Sequence, residues 1–295
     1  MEEPMRYSAN FVKQVFKVVR MKKLVGKAMV SPPKRRNITK KQLEKTDIQI
    51  VYQMFGSREL LTLVPEVSTQ KHVFYLHGGG YSLEASPFHK NIQERFAKTF
   101  NLKVSYFDYP LAPENTAKTT LKTTEEAFEH LQMLYPEDIF YLFGDSAGGG
   151  LAMALAQRLR DQDIQRRPKR IALVSPWLDI SVSDPRSNSL QEEDVLLEKE
   201  LLVKAGKNYA GEWAVNDPRV SPLYGSFDFL GYLLVIAGTA EILYPDVLRL
   251  QQRVQQSTGT NLQTTIVPDM MHDFVVYPLK ESLQYIDQIG MFFQA

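Results

Sequence analysis

Short apolar runs that alternate with longer helical patterns constrain the fold of this 295-residue chain more than any other feature. Strands that alternate with helices of ten or so residues form βαβ units, whose strands are parallel. We therefore predict an α/β protein with a mainly parallel sheet. The strand-like runs are 48–55, 60–65, 73–76, 101–110, 139–146, 169–177, 232–241 and 262–274, and the helical patterns are 92–99, 120–134, 148–160, 244–256 and 279–293.

Two segments do not follow this alternation. The first, 1–45, carries an amphipathic helical stripe and then a basic stretch, and the second, 184–229, contains a predicted helix over 191–211. We expect both to pack together as a cap over the carboxyl edge of the sheet, with 46–295 as the main α/β domain and 184–229 inserted in it. A basic amphipathic helix can also lie on an anionic membrane, but most such helices bury their apolar face. The stripe consists of Phe11, Val12, Val15, Phe16, Val18 and Val19.

Charge and composition exclude several classes of protein. Lys and Arg number 35 against 34 Asp and Glu, which gives no overall attraction to nucleic acid. Cysteine is absent, so disulfides and thiolate metal sites are excluded. No apolar run approaches the ~20 residues of a transmembrane segment, and Lys13, Lys17 and Arg20 interrupt what would be the core of a secretory signal. We expect a soluble, cytoplasmic protein.

The sequence GDSAG, residues 144–148, has the pattern Gly-x-Ser-x-Gly between a predicted strand and a predicted helix. In that context the turn exposes a serine hydroxyl, here Ser146, as a nucleophile. The Ala147 N–H, at the start of the helix, would bind an oxyanion. The glycines do not fit the phosphate-binding P-loop or the dinucleotide pattern. A purely structural glycine turn remains the alternative at this point.

The sequence HGGGY, residues 77–81, follows an earlier strand and resolves that alternative in favour of a nucleophile. Consecutive glycines let backbone N–H groups face a cleft, as in the oxyanion loop of lipases and esterases. We predict that two of Gly78, Gly79 and Gly80 join Ala147 in the oxyanion hole; the sequence does not decide which two. His77 is expected to hold this loop by hydrogen bonds.

Chain order selects the base that would activate Ser146. In α/β-hydrolases the acid and then the histidine follow the serine, and of the five histidines only His272 does so. The acid belongs in the loop after the penultimate strand, where Glu241 is the first candidate and Asp246 the second. Asp246 is expected to begin the next helix instead.

For three further acidic residues near Ser146 and His272 we predict roles outside the triad. Asp269 and Asp273 flank His272 and are expected to be solvated or capping groups. Asp145 is expected to be the N-cap of the helix that follows it.

Taken together, these motifs resemble the hormone-sensitive-lipase-like family of α/β-hydrolases. The matching segments are HGGGY, DYPLAPE, GDSAGG, SPWLDIS, AEILYPD and MMHDF, in the order of the family. The resemblance implies a doubly wound, eight-stranded sheet, a cap formed partly by the N-terminus, and a Ser146–His272–Glu241 triad. The chain departs from the family at Pro110, where arginine is frequent, and at Glu241, where aspartate is common.

We therefore expect a serine carboxylesterase that hydrolyses short- to medium-chain esters through an acyl-enzyme, without a metal or organic cofactor. The alternatives are a non-catalytic small-molecule binder on the same scaffold and an amidase or lipase with the same triad. Because exposed edge strands in this fold often pair, a homodimer is a further expectation.

Overall fold

A single eight-stranded sheet forms the centre of the computed structural model, which describes residues 6–35, 46–67 and 69–295. The strand order is β1-β2-β4-β3-β5-β6-β7-β8; β2 is antiparallel to β1 and β4, and the other neighbours are parallel. This confirms the predicted mostly parallel α/β sheet. The strands are β1 (Gln49–Phe55), β2 (Arg58–Val64), β3 (Lys71–Leu76), β4 (Lys103–Phe107), β5 (Ile139–Asp145), β6 (Arg170–Val174), β7 (Gly231–Ala240) and β8 (Thr260–Met271).

Helices cover both faces of this sheet. The helices that the structure describes are α1 (Ala9–Val18), α2 (Met21–Val30), α3 (Pro87–Phe100), α4 (Ala117–Leu134), α5 (Ser146–Gln162), α6 (Arg186–Ser189), α7 (Lys199–Ala210), α8 (Tyr244–Gln255) and α9 (Ser282–Gln294). On β5, Phe140 packs edge-on against Phe128 of α4, whereas Tyr141 stacks on Phe293 of α9. Successive side chains of a strand point to opposite faces, so α4 and α9 lie on opposite sides of the sheet.

The predicted N-terminal helical segment is two helices rather than one. The helix is interrupted at Arg20, whose backbone is left-handed with φ of 55°. Helix α2 then packs against α7, with Gly26 facing Leu201. The proposed division into a cap of 1–45 and 184–229 and a catalytic domain remains a prediction, and residues 1–5 and 36–45 lie outside the described residues.

The helix predicted over 191–211 is shorter in the structure, where α7 begins only at Lys199. The Asp194 carboxylate accepts hydrogen bonds from the N–H groups of Leu196 and Leu197, both at 2.8 Å. A side chain that takes up backbone donors in this way stabilises a turn in place of a helix. None of the helices in the described ranges has the length and apolar character needed to cross a bilayer.

Candidate active site

Ser146 lies at a sharp turn between β5 and α5. Its φ of 49° is unusual for a residue other than glycine. A Cβ at Gly144 would lie 2.4 Å from the Gly148 carbonyl oxygen, and a Cβ at Gly148 only 2.0 Å from the Leu76 carbonyl oxygen. Both glycines are therefore required by backbone contacts, which hold the strained serine in place.

Ser146, His272 and Glu241 form a continuous series of hydrogen bonds. His272 Nε2 lies 2.9 Å from Ser146 Oγ, and His272 Nδ1 lies 2.5 Å from Glu241 Oε2. All three residues are almost fully buried. They follow β5, β8 and β7 directly, and the carboxyl ends of parallel strands meet at one edge of a sheet. The structure thus brings together the three residues that chain order had selected.

Asp246, the second candidate acid, is engaged elsewhere. It lies in the first turn of α8, and its Oδ1 accepts a hydrogen bond from Arg249 at 3.1 Å. Of the two candidate acids, only Glu241 contacts His272.

Two residues that the sequence analysis did not select hold Glu241 in position. The Ser175 hydroxyl, directly after β6, donates to Glu241 Oε1 at 2.9 Å and accepts the Asp273 N–H at 3.2 Å. Asp194 accepts the N–H of Ile242, the residue after Glu241, at 2.9 Å. The only signal for Ser175 was its place at the end of a strand run, in SPWLDIS.

The prediction that Asp273 is a solvated or capping residue is wrong. Its φ of 53° turns the chain so that Asp273 Oδ2 lies 3.3 Å from His272 Nε2. Burial lowers the pKa of His272, but the carboxylates of Asp273 and Glu241 outweigh burial and raise this pKa well above its usual value. Burial raises the pKa of Asp273 to about 6. Two carboxylates therefore favour the imidazolium form of His272.

In the glycine loop of residues 78–80, where the sequence left open which two N–H groups face the site, the N–H of Gly78 already has a partner. This N–H donates to Asp145 Oδ2 at 2.8 Å and is therefore engaged. Within the described part of the chain, the N–H groups of Gly79 and Gly80 have no acceptor. Gly79 and Gly80 have φ of 119° and 63°, which only glycine adopts readily. These two glycines, together with Ala147, are the free backbone donors beside Ser146.

His77 and Asp145 hold this glycine loop by hydrogen bonds to the backbone of Gly78. Burial lowers the pKa of His77 to about 3, so its ring is neutral, and Nδ1 donates to the Gly78 carbonyl at 2.6 Å. Asp145 is the residue before α5, as predicted, but its side chain does not cap the helix. It accepts hydrogen bonds from the Tyr75 hydroxyl at 2.7 Å and from Gly78, and contacts His89 Nε2 at 3.2 Å.

A cavity of about 140 Å³ opens beside Ser146 and His272. Its apolar walls come from α2 and from loops at the same edge of the sheet, and include Val25, Met29, Leu83, Leu196, Leu197, Val276 and Tyr277. In residues 6–35, 46–67 and 69–295, no three or more His, Asp or Glu side chains are arranged to hold a metal ion. The site presents a hydroxyl paired with an imidazole, free backbone N–H groups and a small apolar cavity.

Comparison with known proteins finds relatives over most of the chain. A profile described as the α/β hydrolase fold matches residues 73–276. An esterase from Acinetobacter venetianus is 33% identical over 195 residues, which are 65% of this chain and 64% of that protein, just under two thirds of its length. An acetyl-hydrolase from Streptomyces hygroscopicus is 28% identical over 223 residues, covering 75% of this chain and 74% of that protein. The crystal structure of an esterase from the bacterial hormone-sensitive lipase family superimposes with a TM-score of 0.81 at 24% identity, covering 100% of this chain and 99% of that one.

Proposed function

The chain belongs to the α/β-hydrolase fold family, and from this premise we propose that it is a serine carboxylesterase acting on short- to medium-chain carboxylic esters. One observation carries the proposal: His272 Nε2 lies 2.9 Å from Ser146 Oγ, while Nδ1 is bound by the Glu241 carboxylate. A hydroxyl becomes a useful nucleophile only when such a base takes its proton. The relatives named esterase and acetyl-hydrolase support an ester as the substrate.

In the proposed mechanism, His272 Nε2 accepts the proton of Ser146 as Oγ attacks the ester carbonyl carbon. Glu241 holds the Nδ1–H tautomer and stabilises the imidazolium that forms. The imidazolium then donates its proton to the departing alkoxide, and the acyl group stays on Ser146. Water, deprotonated by His272, cleaves this acyl-enzyme and restores the free serine.

The free backbone donors would stabilise the negative charge that develops on the carbonyl oxygen. We assign this role to the N–H groups of Gly79, Gly80 and Ala147, because the N–H of Gly78 is bound to Asp145. Preorganised donors of this kind each contribute about 3–4 kcal/mol to transition-state stabilisation. The Asp145–Gly78 bond would position the loop without contacting the substrate.

The size of the cavity supports small acyl groups. Its 140 Å³ lies between Met29 of α2 and the loop containing Leu196 and Leu197, beside Ser146. Longer acyl chains would require these walls to move. Activity should therefore be greatest on acetate and butyrate esters and should fall along the series to palmitate.

A series of p-nitrophenyl esters from acetate to palmitate tests the proposal. Ser146→Ala should reduce kcat/KM by about 10⁴-fold or more, whereas Ser189→Ala, at an exposed serine, should not change it. Hydrolysis retained by Ser146→Ala would contradict the proposal. If the wild type binds the esters without turnover, the chain is the non-catalytic binder, and equal rates on p-nitrophenyl acetate and p-nitroacetanilide would indicate an amidase.

The same assay distinguishes the two candidate acids. Glu241→Gln should reduce kcat by about 10²–10⁴-fold, because the amide cannot stabilise the imidazolium. Asp246→Asn is the matched control and should retain activity, since Asp246 pairs with Arg249. The reverse order of effects would exclude Glu241 as the acid.

A further inference from the structure

Positive charge is concentrated at one end of this nearly neutral chain. Residues 1–45 contain 13 Lys and Arg but only 3 Asp and Glu, out of 35 and 34 in the whole chain. This segment therefore has a net charge of +10, and the rest of the molecule a net charge of −9. Such a separation creates a local field that an overall charge of +1 does not reveal.

Helix α1, within this segment, has two apolar faces instead of one. Val12 and Phe16 pack inward, where Phe16 meets the ring of Tyr277 edge-on at 5.6 Å. The outer face carries Phe11, Val15 and Val18, which are 56%, 40% and 82% exposed. Packing against the rest of the molecule therefore buries only part of the apolar stripe that the sequence shows on α1. Tyr7, Val19 and, on α2, Leu24 extend the exposed apolar surface.

Exposed cations lie on the same two helices and between them. Lys17, Arg20, Lys23 and Lys27 are exposed, and none forms an ion pair with another residue of the described ranges. The helices that carry them are fixed to the rest of the molecule. The Tyr7 backbone pairs with Pro278 and Lys280, and Lys22 Nζ donates to the Gln191 carbonyl at 2.8 Å.

The same helices form part of the candidate active site. Val25 and Met29 of α2 line the cavity beside Ser146. Met29 also packs against the glycine loop, since a Cβ at Gly80 would lie 2.7 Å from its sulfur. A ligand that docks on α1 and α2 would therefore bind next to the cavity.

We propose that the outer face of α1 and α2 docks on the surface of a lipid bilayer rich in anionic phospholipid. Aliphatic and aromatic side chains enter the headgroup–acyl boundary, while flanking Lys and Arg side chains attract anionic headgroups. A second copy of this chain fits poorly, because the exposed cations Lys17, Arg20, Lys23 and Lys27 of the two copies would then meet. A nucleic acid would satisfy the cations but would leave the aliphatic stripe without a matching surface. The inference concerns docking and does not depend on the proposed esterase activity.

Sedimentation of the full chain with large unilamellar vesicles tests this docking. We expect binding to vesicles of mixed phosphatidylglycerol and phosphatidylcholine, weakening as salt is raised, and little binding to phosphatidylcholine alone. Two double variants should each weaken binding about tenfold or more: Phe11→Ser with Val18→Ser, and Lys17→Glu with Lys23→Glu. Matched control changes at the opposite edge of the sheet, Met133→Ser with Lys169→Glu, should leave binding as in the wild type.

Thermal unfolding of each variant shows whether the fold is intact, independently of any enzymatic activity. Docking is refuted if the wild type does not bind anionic vesicles or binds both vesicle types equally. It is also refuted if the control variant loses as much binding as the two double variants. Binding to RNA with similar affinity would indicate a general polyanion surface instead. Concentration-dependent dimerisation abolished by the Phe11 and Val18 changes would assign the face to a second copy.

Discussion

At the level of single residues, the imidazole of His272 lies between two carboxylates that would affect the proposed catalysis in different ways. Glu241 binds Nδ1, the nitrogen that does not face Ser146. Asp273 lies 3.3 Å from Nε2, the nitrogen that accepts the Ser146 proton in the proposed mechanism. A carboxylate on that side stabilises the imidazolium form. In that form Nε2 already carries a proton and cannot accept one from Ser146. Asp273 should therefore raise the pH at which the proposed esterase activity appears.

Asp273→Asn tests this role of Asp273. The general base must be neutral in the free enzyme, and the Asp273 carboxylate raises the pKa of His272. Loss of this carboxylate lowers that pKa, so the acidic limb of kcat/KM should move to lower pH. Asp269→Asn, at the exposed acid on the other side of His272, should leave the profile unchanged. A limb that stays in place or moves to higher pH in Asp273→Asn would refute the role.

Sequence alone predicted the residues that a motif or chain order specifies. Ser146 follows from Gly-x-Ser-x-Gly and His272 from being the only histidine after it. Asp273 and Ser175 could not be predicted, because their contacts depend on left-handed backbone angles of 53° and 43°. These angles redirect side chains that an ordinary strand or turn would point elsewhere.

At the level of elements, the contact between α2 and α7 shapes the cavity. Gly26 is buried in it, and a Cβ there would lie 2.6 Å from Leu201 Cδ1 and 2.9 Å from Leu201 Cβ. Alanine would favour the helix by up to about 1 kcal/mol, but overpacking costs about 1–3 kcal/mol. The steric cost is larger than the gain in helix propensity, because a Cβ atom is bonded to the backbone and cannot move aside as the end of a flexible side chain can.

Gly26→Ala should therefore destabilise the protein by about 1–2 kcal/mol. In a Leu201→Ala background the penalty should shrink, because Cγ and Cδ1 of Leu201 are gone and only the contact with its Cβ remains. Urea unfolding of the four proteins in a double-mutant cycle measures this coupling. Additive effects would mean that the alanine at position 26 does not clash with Leu201. Val25 and Met29 of α2 line the cavity, so a shift of α2 in Gly26→Ala should also raise KM for small esters.

Elements of the sheet were predictable, whereas elements outside it were predicted less well. Interior strands of a sheet are short apolar runs with abrupt ends, and each of the eight strands among the described residues, including the antiparallel β2, corresponds to a run in the sequence. The break at Arg20 was not predicted, because apolar residues continue beyond it at Met21, Leu24 and Val25 and no glycine or proline marks it. Residues 190–198 have helical composition but turn because Asp194 binds local N–H groups.

At the level of the whole molecule, several buried carboxyls stabilise the native state more at acidic pH than at neutral pH. Burial raises the pKa of Asp194 and of Asp108 to about 6, and the pKa of Asp246 to about 7. The unfolded chain loses these protons near pH 4, before the native state does. In the interval between, the native state binds more protons than the unfolded chain. The contribution of these groups to stability therefore falls as pH rises from about 4 to about 7.

Asp246 allows this dependence to be measured separately. Burial and the nearby Asp179 charge raise its pKa to about 7, against the effect of Arg249. Asp246→Asn removes the ionisation but keeps an oxygen that can accept the Arg249 hydrogen bond, and Arg249 retains Asp179 at 3.0 Å. The free energy of unfolding should therefore fall less between about pH 5 and about pH 8 in the variant, by on the order of a few kcal/mol. Urea unfolding at both pH values measures the difference, with Asp161→Asn, at an exposed acid, as the control. An identical pH dependence in wild type and Asp246→Asn would show that Asp246 is already ionised at pH 5 in the folded protein.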